Sequence, residues 1–146
     1  MQKWCVEASV AALIAAGVGA CSSSPPPSPA RGTVPAGTAK VTINDSALPE
    51  MTAVKCTLIG PLTTITAGDT AAGVTALVSS EAGLTAKSVS INSLGGFTGS
   101  YMEGLAGKAA ISMKDQTYTI RGSADGFNTD DPSMRATGTF AIQVAC

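Results

Sequence analysis

Three hydropathy regimes follow one another along the chain. Residues from about Val6 to Val18 are an apolar run interrupted only by polar blemishes such as Glu7. Ser22 to about Ala39 is small, polar and rich in proline. From Lys40 onward, apolar and polar residues alternate. Val41 and Ile43 alternate with Thr42 and Asn44. Val54, Cys56 and Leu58 alternate with Lys55 and Thr57, and Leu62 to Thr66 follows Gly60-Pro61. Val89 and Ile91, then Ala109, Ile111 and Met113, then Tyr118 and Ile120, and finally Phe140, Ile142 and Val144 repeat the scheme. Side chains on a strand point alternately to opposite faces, so a period of two predicts half-buried antiparallel strands. Thr70 to Ser80 is ambiguous, because its alanines permit a helix, but Val74-Thr75-Ala76-Leu77-Val78 reads better as a strand.

Turn signals separate these runs. They are Asn44-Asp45-Ser46, Gly95-Gly96, Lys114-Asp115-Gln116 and Asp125-Gly126. Asn, Asp and Gly tolerate the backbone angles that tight turns demand. Lys114-Asp115-Gln116 reads as a tight hairpin between two strands of matching phase. Seven or eight short strands in roughly 107 residues predict an all-β chain: a single antiparallel β-sandwich-like domain over residues 40–146, behind a disordered linker.

The first 20 residues have the three parts of a signal peptide: Lys3 and the terminal amine, the apolar run, and the small residues Gly19-Ala20. A helix of about 15 residues rises about 22 Å, short of the roughly 30 Å of bilayer hydrocarbon. Val18-Gly19-Ala20-Cys21 resembles the lipobox of bacterial lipoproteins. That resemblance implies a diacylglyceryl thioether on Cys21 and cleavage just before it. The competing reading is an ordinary secretory signal with a free cysteine near the mature N-terminus. Residues 21–39 then form a lipidated linker. Its Pro25, Pro26, Pro27, Pro29 and Pro35 favour polyproline II. At about 3.1 Å per residue such a leash holds a domain some 50 Å from its anchor. It reads equally as an O-glycosylated leash or as an unmodified spacer.

Composition narrows the chemistry. Charged residues make up 13% of the chain and the net charge is −1, so no electrostatic case exists for nucleic acid or an anionic surface as a partner. Histidine is absent, which excludes Ser-His-Asp and Cys-His mechanisms within this chain and removes the commonest metal ligand. Aromatics are 4%, so the core must be built from Val, Ile, Leu, Ala and Met. There are four cysteines. Cys5 leaves with the signal and Cys21 carries lipid. Cys56 shares its strand face with Val54 and Leu58, and Cys146 shares its face with Phe140, Ile142 and Val144. Both point into the same predicted core, in an oxidising compartment. A Cys56–Cys146 disulfide follows, closing a loop of about 90 residues that the chain-entropy model values at roughly 4 kcal/mol. Two buried free thiols are the alternative if the compartment is reducing.

A lipobox, a Ser/Pro/Thr-rich leash, Lys40-Val41-Thr42-Ile43 and Val54-Lys55-Cys56 together resemble the LpqH family of mycobacterial nineteen-kilodalton lipoprotein antigens. The same holds for Lys87-Ser88-Val89, for Gly95 to Tyr101, and for Tyr118-Thr119-Ile120-Arg121-Gly122-Ser123-Ala124-Asp125-Gly126 ahead of Phe140-Ala141-Ile142-Gln143-Val144-Ala145-Cys146. The order of these pieces is the specific signal. The resemblance implies a cell-envelope lipoprotein on the extracytoplasmic side, a paired-cysteine β domain, and recognition by host innate receptors through the acylated N-terminus. It offers no catalytic residues to carry over. The leash departs from the family type in having more Pro and less Thr.

Other candidate chemistry is sparse. Asp130-Asp131-Pro132 with Asp125 and Asn128 is the densest oxygen cluster and a conceivable Ca²⁺ ligand set, but it lacks the glycine and bidentate glutamate of an EF-hand. It reads as an acidic loop with a helix-start or turn signal at Asp131-Pro132. Glu50, Glu81 and Glu103 are too scattered to suggest a glycosidase pair. Gly95-Gly96-Phe97-Thr98-Gly99 lacks the lysine and helix of a phosphate loop and reads as a turn. No cofactor, metal or small-molecule substrate is implied. The leading expectation is a structural or interaction module displayed by its lipid. The alternative is a lipid or glycolipid carrier with an apolar cavity, and an enzyme is the third choice.

Overall fold

The structure, a computed structural model, describes residues 32–146. The signal segment, Cys5, Cys21 and most of the leash lie outside the described residues. Ten strands run in chain order: β1 (Ala39–Ile43), β2 (Ser46–Ala47), β3 (Val54–Ile59), β4 (Leu62–Gly68), β5 (Gly73–Ser79), β6 (Thr85–Leu94), β7 (Phe97–Met102), β8 (Lys108–Lys114), β9 (Thr117–Asn128) and β10 (Asp131–Ala145). All pairings are antiparallel, and the described chain is all-β, as the alternation predicts. The ambiguous alanine-rich stretch is strand β5.

The layers are not two separate sheets. One hydrogen-bonded path runs β2-β1-β10-β9-β7-β6-β5-β4-β3, with β8 paired to β9 beside it. The branch arises because β9 is long. Its first half, Thr117–Ser123, pairs with β8, and its second half, Asp125–Asn128, pairs with β7. Apolar residues meet across the strands in rows. One row is Val41, Ile142, Ile120 and Ile111, on β1, β10, β9 and β8. A second is Cys56, Ile65, Ala76, Val89 and Tyr101, on β3 to β7. Their buried members belong to a single core cluster, so the sheet curls until its two halves face each other. Cross-strand apolar pairs of this kind are what stabilise a sheet.

Tight turns fix the register. Asn44 and Asp45, both with positive φ (50° and 65°), form a two-residue loop that pairs Ile43 with Ser46. Both central residues of a type I′ hairpin take that conformation, and Asn and Asp tolerate it best after glycine. Asp115-Gln116 closes β8 onto β9 in the same two-residue span, pairing Lys114 with Thr117. Gly95 and Gly96 make the β6–β7 connection.

Three readings of the sequence change. Asp125-Gly126 is not a turn but lies inside β9, where Gly126 pairs with Gly99 and Ala136. A Cβ on Gly126 would collide with the Thr98 carbonyl oxygen, so this glycine permits close strand approach. Asp131-Pro132 starts neither a helix nor an isolated turn. It opens β10, in the irregular span between the Asp131 and Arg135 pairings, where a proline costs no ladder bond. Of the Gly95 to Gly99 turn, only Gly95-Gly96 turns; Phe97, Thr98 and Gly99 belong to strand β7, whose glycine and serine residues obscure the alternation of buried Phe97 and Tyr101.

Phe97 is fully buried and its ring fills the space above two glycines, Gly99 and Gly138. A Cβ on Gly138 would lie 2.8 Å from ring carbons of Phe97. Replacing Gly138 with Ala should therefore destabilise the domain by about 1–3 kcal/mol, the usual cost of overpacking. Denaturant unfolding measures this, and an unchanged midpoint would refute the packing role of Gly138.

Candidate functional site at the leash junction

The candidate site is where the leash meets the domain. The pattern of the sequence sets the start of the domain at Lys40, but the structure shows packing from Val34. Val34 is buried at 5% exposure, and its N–H donates to Thr117 Oγ1 at 3.1 Å. Thr117 is itself buried, so the bond satisfies a group that would otherwise be costly to enclose. Gly37 N–H donates to the Ala145 carbonyl at 2.9 Å, and Ala145 N–H donates to the Thr38 carbonyl at 3.1 Å. Residues 34–38 thus strap themselves along the C-terminal end of β10. A lone valine between Thr33 and Pro35 gives no periodic signal, so sequence reasoning assigned it to the leash.

One residue further, Cys146 is bonded to Cys56, with the Cα atoms 5.9 Å apart and 90 residues between them in sequence. Cys56 lies in β3, the terminal strand of the sheet path, and Cys146 follows β10, with five strands between β10 and β3 along that path. The bond therefore closes the curl of the sheet from the side opposite the hydrogen bonds. It also fixes the residue next to Ala145, and through Ala145 the strap itself.

The other candidate residues do not assemble. Asp125 accepts a bond from Thr137 Oγ1 at 3.3 Å, and Asp131 accepts one from Ser133 Oγ at 3.2 Å. Among the described residues, no three of His, Cys, Asp and Glu are grouped to hold a metal ion. Glu103 pairs with Lys87 at 2.8 Å. Its hydrogen bond and charge hold the Lys87 amine above the ordinary lysine range. The pair is well exposed, so its contribution to stability is small. Tyr101 is buried and donates its hydroxyl to the Ala86 carbonyl at 3.0 Å. Burial, and after it the Glu103 carboxylate, push this phenol above the ordinary tyrosine range, while Lys87 pulls it partly back.

Surface clefts are open, with walls of mixed polar and apolar character. One of about 340 Å³ is lined by residues including Thr66, Asp69, Thr70, Thr75, Ser90 and Asn92. Another, of about 600 Å³, lies at the strap, against Thr33, Val34, Asp115, Gln116 and Thr117. Neither has the aliphatic lining that a lipid tail requires.

These features define a class: a small all-β domain, closed by one disulfide, carried behind a proline-rich segment. Residues 32–146 match the family described as Mycobacterium 19 kDa lipoprotein antigen, and the chain belongs to that family. It is 38% identical over 137 residues to a putative lipoprotein of Mycobacterium indicus pranii, covering 93% of this chain and 94% of the relative. It is 39% identical over 110 residues to a putative lipoprotein of Mycobacterium avium subsp. hominissuis, covering 75% and 76% of the two chains.

Two outcomes follow. Reducing the Cys56–Cys146 bond should lower the unfolding free energy by roughly 4 kcal/mol, the loop-closure value for a 90-residue separation. Denaturant unfolding with and without reductant measures it, and coincident curves would refute the closing role. For Tyr101, a folded-state pKa above the unfolded one means stability that is whole below pH 10 and is lost as pH rises through the folded value. Tyr101→Phe should remove that alkaline loss and cost about 1 kcal/mol at neutral pH for the missing hydrogen bond. Unfolding free energies at pH 7 and above pH 10 test both halves.

Proposed function

We propose that this chain is a display lipoprotein of the mycobacterial envelope, held to the membrane by acyl chains on Cys21 and presenting its β domain on the extracytoplasmic side. The observation that carries the reading is the fate of the cysteines. Cys56 and Cys146 consume each other in a disulfide. Cys5 sits in the apolar N-terminal run, and Cys21 alone has the small residues Gly19-Ala20 before it and a proline-rich segment after it. Membership of a lipoprotein antigen family supports the same chemistry. Two or more acyl chains anchor stably, whereas one holds only marginally, so the N-terminal group must carry at least a diacylglycerol.

The domain serves contact rather than reaction. Among the described residues no three of His, Cys, Asp and Glu group to hold a metal ion, and the family is described as an antigen. Host innate receptors that recognise acylated N-termini are the proposed partners of the anchor once the protein is exposed or shed. Carriage of a lipid inside the domain is the weaker alternative, because the core faces fill with Val, Ile, Phe and Ala side chains.

Replacing Cys21 with Ala tests the reading. Incorporation of labelled palmitate should be lost, the protein should leave the lipid-modified fraction on detergent partition, and stimulation of host cells should fall to background. A Cys21→Ala protein that still incorporates palmitate and still stimulates would overturn it.

A further inference from the structure

The exposed apolar side chains of the domain are concentrated at one end of the sheet. Leu58 and Ile59 are each 71% exposed, at the tip of the β3–β4 hairpin, and Leu62 across the turn is 38% exposed. The turn residues Gly60 and Pro61 between them are exposed as well. Ile59 pairs with Leu62, and Leu62 pairs with Ser79 of β5, so the tip sits at one end of a row of strands. The Ser80 N–H donates to the Pro61 carbonyl, and Glu103 N–H donates to the Lys87 carbonyl, which ties the next two loops into the same rim. Those loops add exposed Ala82 and Leu105, the latter 80% exposed. From β3 to β7 the rim spans four strand spacings, roughly 19 Å. Isolated exposed leucines need no explanation, but a rim of this kind marks a contact surface.

What covers the rim is argued from where the leash joins. Leu58 lies two residues beyond Cys56, and Cys56 is bonded to Cys146, next to the Ala145 that holds the strap. At about 3.3 Å per strand residue, the hairpin tip is within roughly 20 Å of that junction. Cys21 precedes the first described residue, Gly32, by eleven peptide steps, which span at most about 40 Å in any conformation. A tether this short turns a weak surface contact into an intramolecular one at high effective concentration. The far end of the domain is of opposite character. Asn128, at the other end of β9, is eleven residues from Thr117 and so about 36 Å from the strap. Asp125, Asp130 and Asp131 lie at that far end with Arg135, whereas the rim loops carry Glu81 and a Glu103 that is paired with Lys87, so the far end holds the larger unpaired acidic charge. Lys55, exposed on the same strand face as Ile59, lies on the junction side of the hairpin tip.

We propose that the β3–β4 tip, with Leu58, Ile59 and Leu62 as its contact residues, docks the domain onto the lipid surface to which its own N-terminus is attached. The domain then lies against the bilayer with the acidic β9–β10 end outward, instead of standing off at the full length of the leash. This inference rests on the anchoring of Cys21 proposed above.

The test uses the full chain, produced in a mycobacterial host, purified and reconstituted in vesicles of phosphatidylcholine with phosphatidylglycerol. Trp4, the chain's single tryptophan, leaves with the signal segment, so a tryptophan introduced in the domain is a unique probe in the mature protein. Ile59→Trp reports the rim, and Met134→Trp, at a position 63% exposed near the far end, is the control. Both sites are open to solvent, and intact mass confirms the disulfide in each variant. Brominated lipid should quench the Ile59→Trp protein by about half, as expected for a group seated on the order of 5–10 Å into the headgroup boundary, and leave the Met134→Trp protein unchanged. Failure of the proteins to float with vesicles overturns the anchoring and the docking together. Flotation with no quenching of the Ile59→Trp protein, or with equal quenching of both, overturns the docking alone. A blue-shifted Ile59→Trp emission that rises with protein-to-lipid ratio but is untouched by bromine assigns the rim to a second copy of the chain and likewise overturns the proposal.

Discussion

The domain depends on a closure made at its chain ends. A single antiparallel sheet of this length has two terminal strands, and each offers unpaired backbone groups and a core face with nothing opposite it. The curl brings the row from Cys56 to Tyr101 over the row from Val41 to Ile111. The Cys56–Cys146 bond then joins β3 to the end of β10 across the opening. Because the link spans 90 residues, it removes much of the freedom of the unfolded chain, and it holds the C-terminal residue that would otherwise fray. The strap of residues 34–38 depends on that anchored end in turn, since both of its ladder-like bonds are to Ala145.

Strand β9 sets where the sheet can bend. It borders β10 along one side and two successive partners, β8 and β7, along the other. Glycines stand at both partnered stretches. A Cβ on Gly122 would strike the Lys108 carbonyl oxygen, and one on Gly126 would strike that of Thr98. Bare backbone at these points lets neighbouring strands approach closely and leave at different angles. Phe97 then occupies the corner, buried above Gly99 and Gly138. A chain with so few aromatics places one of its three phenylalanines where the two halves of the sheet meet.

The molecule is polar from end to end, and the polarity gives the family chemistry a geometry. The strap, the disulfide and the apolar hairpin tip lie toward one end, and the acidic β9–β10 connection lies at the other. Among the described residues no group of metal ligands forms, and the clefts are open with mixed polar and apolar walls.

Much of the fold is legible in the sequence, for a local reason. Alternation reports which face of a strand is buried, so β1, β3, β4, β6, β8 and the ends of β9 and β10 can be read from residues such as Val41, Ile65, Ile91 and Ile142. Asn44-Asp45 and Asp115-Gln116 announce their hairpins because few residues accept the backbone angles involved. Cys56 and Cys146 pair as expected, but not inside the core that their phase predicts: Cys56 is half-buried, Cys146 is exposed, and Leu58 on the Cys56 face is exposed too. Tertiary structure alone decided the rest. Gly126 and Pro132 carry turn-like identities, yet serve close strand approach and an irregular strand start, because their neighbours come from distant parts of the chain. Val34 is core rather than leash only because Thr117 and Ala145 happen to fold beneath it. The sequence determined the strands, the family and the Cys56–Cys146 pairing. How one sheet curls upon itself, and which of its ends remains apolar and bare, depends on long-range packing that no local pattern encodes.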